Sequence, residues 1–129
     1  MKREYLDSSA LVKLVVPERE SVALRRWLRG RAWASSALVR AEIVRAVRPH
    51  GHAAVEVARR LIGRGELLRV SPAVLDLSAM LGPDDLRTLD AIHLASATVL
   101  GDNLSSLVTY DGRMAAAAAA LHLRVTAPL

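Results

Sequence analysis

Four carboxylates sit where side chains of their kind are costly. The chain has thirteen acidic residues, and most fall among other charges on helix faces. Asp7 instead follows Glu4-Tyr5-Leu6, a short strand whose residues should be buried, and Asp111 lies just past Leu107-Val108-Thr109, a second such strand. Glu42 interrupts an apolar stripe in Ala41-Glu42-Ile43-Val44, and Asp90 opens the most apolar helical stretch, Leu89-Asp90-Ala91-Ile92-His93-Leu94-Ala95. A charge on a core-facing stripe is expensive unless it is paired or bound to metal. Four carboxylates brought together would repel, and some would take up protons. A divalent cation resolves that conflict, and an all-oxygen ligand set that leaves room for water suits Mg²⁺ or Mn²⁺ better than zinc. Such a cation can polarise a phosphate, activate a water and steady the leaving oxygen of an in-line displacement.

The elements that must bring the four together can be read from hydrophobic periodicity. Strand-like runs at Glu4–Leu6, Ala32–Ser35, Leu67–Val70, Ser106–Thr109 and Leu123–Thr126 alternate with helix-like stripes. The stripes cover Ser8–Val16, Arg19–Arg29, a helix capped by Ser36 that carries Glu42 and ends by Pro49-His50-Gly51, His52–Ile62, Pro72–Leu81, Thr88–Leu100 and Met114–Leu121. Six consecutive alanines in the last favour helix rather than a loose tail. This alternation predicts an α/β fold in three layers, α/β/α, around a central parallel sheet of about four to five strands. No linker or repeat is visible, and residues 1–129 read as one domain. In such sheets the carboxyl ends of the strands line the ligand crevice, where Asp7 and Asp111 are expected.

Composition narrows the chemistry further. There is no cysteine, which excludes disulfides, thiol catalysis and zinc–thiolate sites. No leader-like or membrane-spanning apolar run is seen, so a cytoplasmic, membrane-free protein is expected. Eighteen basic residues, sixteen of them Arg, give a formal charge of +5. Setting the four carboxylates aside leaves 18 basic against 9 acidic residues, or +9, so an acidic cleft is set in a basic surface. That combination fits a phosphodiester substrate. Lys13, Arg87 and Arg113 flank the acidic positions and are candidates for phosphate contacts, although a solvated helix-face charge explains each as well. His50 and His52 make a poor metal site by themselves. His93, one turn after Asp90, reads more readily as a satisfied core histidine than as a partner of the acidic group. Ser8 and Ser9 have no placed histidine for serine hydrolase chemistry. Trp27 and Trp33 fit core or interface roles better than base stacking.

Three segments carry a family resemblance. Tyr5-Leu6-Asp7-Ser8-Ser9-Ala10-Leu11-Val12-Lys13-Leu14, Arg87-Thr88-Leu89-Asp90-Ala91-Ile92-His93-Leu94-Ala95 and Val108-Thr109-Tyr110-Asp111-Gly112-Arg113-Met114 resemble, in order and spacing, the motifs of PIN-domain proteins of the VapC toxin type. Glu42 falls where that family carries a helical glutamate. The resemblance implies a Mg²⁺- or Mn²⁺-dependent endoribonuclease, homodimeric, acting on RNA and held in check by a cognate VapB-like antitoxin. It also implies metal-site roles for Asp7, Glu42, Asp90 and Asp111, and supporting hydroxyls at Ser9 and Thr109. Two other readings stay in view. One is a catalytically silent PIN fold that regulates by protein contact. The other is phosphoryl transfer through an Asp7 nucleophile, for which a second Asp two residues on is expected and Ser9 stands instead.

Overall fold

The structure, a computed structural model, describes all residues 1–129. Five strands, β1 (Arg3–Leu6), β2 (Trp33–Ser36), β3 (Glu66–Leu68), β4 (Leu104–Val108) and β5 (Val125–Thr126), form one sheet in the order β3-β2-β1-β4-β5. Every neighbouring pair is parallel. Seven α-helices connect them: α1 (Ser8–Lys13), α2 (Ser21–Leu28), α3 (Val39–Val47), α4 (His52–Ile62), α5 (Pro72–Met80), α6 (Thr88–Val99) and α7 (Gly112–Ala120). No helix is long and apolar enough to cross a membrane.

The layering follows from period-two alternation along the strands. Leu6, Trp33 and Val108 point to one face, where they pack with Leu11, Leu24, Ile43, Val47 and Leu61 of α1 to α4. Tyr5, Ala34 and Leu107 point to the other, against Leu94 and Ala97 of α6 and Met114 and Ala118 of α7. Helix α5 joins that second layer through Val74, which meets Ile92 and Ala95. The alanine run is therefore ordered and half-sunk in the core, its small side chains letting α7 lie close to the sheet.

Several elements differ from their expected bounds. The first helix ends at Lys13 rather than Val16, and the third strand spans Glu66–Leu68 rather than Leu67–Val70. Ser36 does not cap α3: it ends β2, and its Oγ takes the Leu38 N–H at 3.1 Å, so it shapes the turn before the helix. Ser71 and Pro72 do open α5 as expected, with Ser71 Oγ accepting from Val74 N.

One packing contact is unforgiving. Trp33 is 8 % exposed, and its ring lies close against Gly65; a Cβ at Gly65 would stand 2.3 Å from the ring. Gly65→Ala should cost about 1–3 kcal/mol, as overpacking of a filled core does, with a loss of several degrees in melting temperature. An unchanged melting curve would show that the indole can move aside.

Candidate metal centre

The sheet order places β1 between β2 and β4, and their carboxyl ends deliver the acidic residues. Asp7 follows β1 directly and is 3 % exposed. It is also the N-cap of α1, so one oxygen takes the Ala10 N–H at 2.9 Å and the Ser9 hydroxyl at 2.7 Å. The other oxygen takes the Thr109 hydroxyl, supplied by the end of β4. Thr109 Oγ1 in turn accepts the Asp111 N–H at 3.1 Å, so one threonine ties together the two strand-end aspartates. Both hydroxyls singled out with the motifs, Ser9 and Thr109, therefore bond to Asp7.

Asp111 is the N-cap of α7, its carboxylate accepting from Arg113 N at 2.9 Å and Met114 N at 3.4 Å. Asp90 lies in the first turn of α6 and Glu42 in the first turn of α3. All four carboxylates consequently sit at helix starts, where the positive end of the helix dipole favours an anion.

Their mutual field is felt. Burial raises the Asp7 carboxyl above its ordinary range, against the pull of the Thr109, Ser9 and Ala10 hydrogen bonds. Burial also raises Asp90, and the charges of Asp111 and Asp7 add to that rise. None of Asp7, Asp90 or Asp111 forms an ion pair with Lys or Arg. Glu42 does not pair with Arg45 one turn on. Its only polar contact is His93 Nε2, at 2.7 Å. His93 is buried as a core histidine would be, yet both ring nitrogens are engaged, the second by Tyr5 Oη at 2.7 Å. Sequence reading passed over Tyr5; the clue was that it shares a strand with Asp7 and carries a hydroxyl that burial obliges to find a partner.

Asp90 and Asp111 line a cleft of about 850 Å³ with Arg87, Arg113, Leu86 and the alanine face of α7. Two of the three proposed phosphate contacts thus stand at the acidic residues. Lys13 does not stand free: its ammonium is 2.7 Å from Glu20 and 3.6 Å from Glu18, and it lies over the Tyr110 ring. Trp27 carries the Arg31 guanidinium on its face, and Trp33 is core.

The donors are all carboxylate oxygens, the kind a hard divalent cation takes, and only Glu42 has a basic partner, His93. As placed, no three acidic or histidine side chains stand close enough together to hold a metal ion. Residues 5–120 match the family model for the PIN domain. The chain belongs to the PIN-domain family, in its VapC group. It is 55 % identical over 125 residues to Ribonuclease VapC46 of Mycobacterium tuberculosis, covering 96 % of each chain. It is also 40 % identical over 116 residues to Ribonuclease VapC47 from the same species, covering 85 % of each. Among solved structures the fold of this PIN domain resembles M. tuberculosis VapC20, described as a sarcin–ricin loop cleaving toxin, with TM-score 0.70 and 19 % identity over 88 % of this chain and 94 % of that one.

Proposed function

We propose that this VapC-type PIN domain is a metal-dependent endoribonuclease, the toxin of a toxin–antitoxin pair, with Mg²⁺ (or Mn²⁺ in its place) held by Asp7, Glu42, Asp90 and Asp111. The observation that supports the metal reading is at the sheet's carboxyl end: Asp7 and Asp90 have raised carboxyl pKa values, and neither makes an ion pair with Lys or Arg. The names of its relatives support the reaction class.

When bound, the cation supplies charge to the scissile phosphate and lowers the pKa of an attacking water. Each side chain then has a distinct task. Asp7 is immobilised by its three hydrogen bonds and forms the fixed floor of the site. Asp90, with no hydrogen bond of its own, presents both oxygens from the start of α6. Thr109 couples Asp111 to Asp7, so the two strand ends move together. Arg87 and Arg113, on the wall of the cleft, meet the phosphates on either side of the scissile bond. Lys13 joins them only if it leaves Glu20. We place the protein in the cytoplasm as a homodimer, with a VapB-like antitoxin covering the acidic cleft.

The test is cleavage of single-stranded RNA in Mg²⁺ and in EDTA. Cutting should stop in EDTA, return with Mg²⁺ or Mn²⁺, and leave 5′-phosphate ends. Cleavage that persists in EDTA overturns the metal reading. In the same assay Arg113→Ala and Arg87→Ala should each weaken RNA binding and reduce the slope of log affinity against log salt by about one. Unchanged slopes would remove these arginines from the substrate path.

A further inference from the structure

The polar chain Tyr5–His93–Glu42 crosses from one helical layer to the other at the end of the sheet that holds the acidic cluster. His93 lies on α6, three residues after Asp90 and so on the neighbouring helix face. Glu42 belongs to α3 on the opposite face of the sheet. The imidazole is 1 % exposed and its Nε2 is 2.7 Å from Glu42 Oε1. Its Nδ1 is 2.7 Å from Tyr5 Oη, with the two rings edge to face at 5.9 Å and 75°.

The donors and acceptors can be assigned by chemistry. A carboxylate only accepts, so Nε2–H donates to Glu42. With Nε2–H on Glu42, a neutral imidazole leaves Nδ1 bare, and the Tyr5 O–H, 2.7 Å away, donates to it. That bond favours the tautomer whose Nε2–H is aimed at Glu42. Nothing else restrains the glutamate: it makes no other hydrogen bond or ion pair, and its second oxygen is unbonded. A long, partly exposed side chain is thereby held by one atom with the other oxygen free.

We propose that His93 and Tyr5 are positioning residues: together they lock the Glu42 carboxylate in place by one oxygen so that the other is presented to the divalent cation. This rests on the metal reading above. It gives a role to two residues outside the carboxylate set. It also explains why α6 contributes a histidine to the core one turn after Asp90, so that one helix aligns two ligands.

The test reads metal affinity rather than turnover. Mn²⁺ binding to the full-length chain is followed by loss of the free Mn²⁺ spectrum in electron paramagnetic resonance. Tyr5→Phe keeps the ring and removes only the hydroxyl; His93→Leu removes the contact to Glu42; His93→Gln retains an amide donor. Tyr5→Phe and His93→Leu should weaken Mn²⁺ binding about 10-fold or more, within the range found for partners of metal ligands. His93→Gln should recover part of that loss. In a Glu42→Gln background Tyr5→Phe should add nothing, since the two substitutions break one device. If Glu42→Gln weakens binding but Tyr5→Phe and His93→Leu stay within about two-fold of the parent, well short of that range, the positioning role is wrong and the metal reading stands. If Glu42→Gln itself binds as the parent does, both fall. An equal loss from Tyr5→Phe with and without Glu42 marks a general packing effect and also overturns the proposal. Tyr5→Phe carries the experiment even where His93→Leu does not fold.

Discussion

Asp7→Asn is expected to lower RNA cleavage by at least about 100-fold, more than the loss of a partner of a metal ligand costs, while leaving the fold intact. Asparagine is as good an N-cap as aspartate, so α1 keeps its start. Its amide oxygen can still accept from Ala10 N and Ser9 Oγ, and its NH₂ faces Thr109 Oγ1 in place of the second oxygen. Only the charge and one acceptor are lost, and these are what a cation needs. Burying a neutral amide also avoids the desolvation that strains the native carboxylate. Cleavage rates and melting curves, measured together in Mg²⁺ and in EDTA, separate the two effects. A variant that cleaves within about ten-fold of the parent, less than the loss of an oxyanion-hole donor costs, would take Asp7 out of the chemistry.

The second large effect is on stability. Asp7 and Asp90 both have raised carboxyl pKa values in the folded chain. A raised acid binds more protons folded than unfolded, so its contribution to stability falls as pH rises. The penalty is absent below the ordinary aspartate value, grows between that value and the raised one, and is complete above it. The metal-free protein should therefore be handicapped at neutral pH, and Mg²⁺ should remove the handicap. Saturating Mg²⁺, at about 100 times its dissociation constant, adds roughly 2.7 kcal/mol, or roughly 5–10 °C in melting temperature for a chain of this size. The gain should shrink in acid, where protons compete for the same oxygens. Asp90→Asn removes a carboxylate that has no hydrogen bond to lose. It should raise the melting temperature in EDTA by about 2 °C or more, the shift expected from a fraction of a kcal/mol, and reduce the gain from Mg²⁺. A Mg²⁺ shift that is equal in acid and at neutral pH would disconnect these carboxylates from the ion.

The strand-end aspartates were legible because strands announce themselves by local periodicity, and a carboxylate just beyond one is conspicuous. Asp90 and Glu42 stood out for the same local reason, as charges among apolar neighbours. What sequence could not supply was partnership over distance. Glu42 had a nearby candidate in Arg45, and helical spacing made that pairing reasonable, yet the glutamate bonds to a histidine fifty-one residues on. The competition was settled by one side-chain contact between α3 and α6, helices from opposite faces of the sheet, a tertiary fact with no local trace. The strand order β3-β2-β1-β4-β5 was equally hidden, although the parallel, layered class was not. Element ends were overestimated where apolar residues continue past the helix into a hydrogen-bonded turn. Val15 and Val16 pack on the core as a turn rather than as helix. The pairing of Gly65 with Trp33 likewise joins segments whose sequences give no hint of each other.

Strand β1 is the first made and lies in the middle of the sheet, where its neighbour β4 is among the last, with Tyr5 beside Leu107 and Leu6 beside Val108. A ribosome therefore releases Asp7 about a hundred residues before the threonine that holds it. Until then the first strand has one open edge, and Asp7 lacks the hydroxyl that holds its second oxygen.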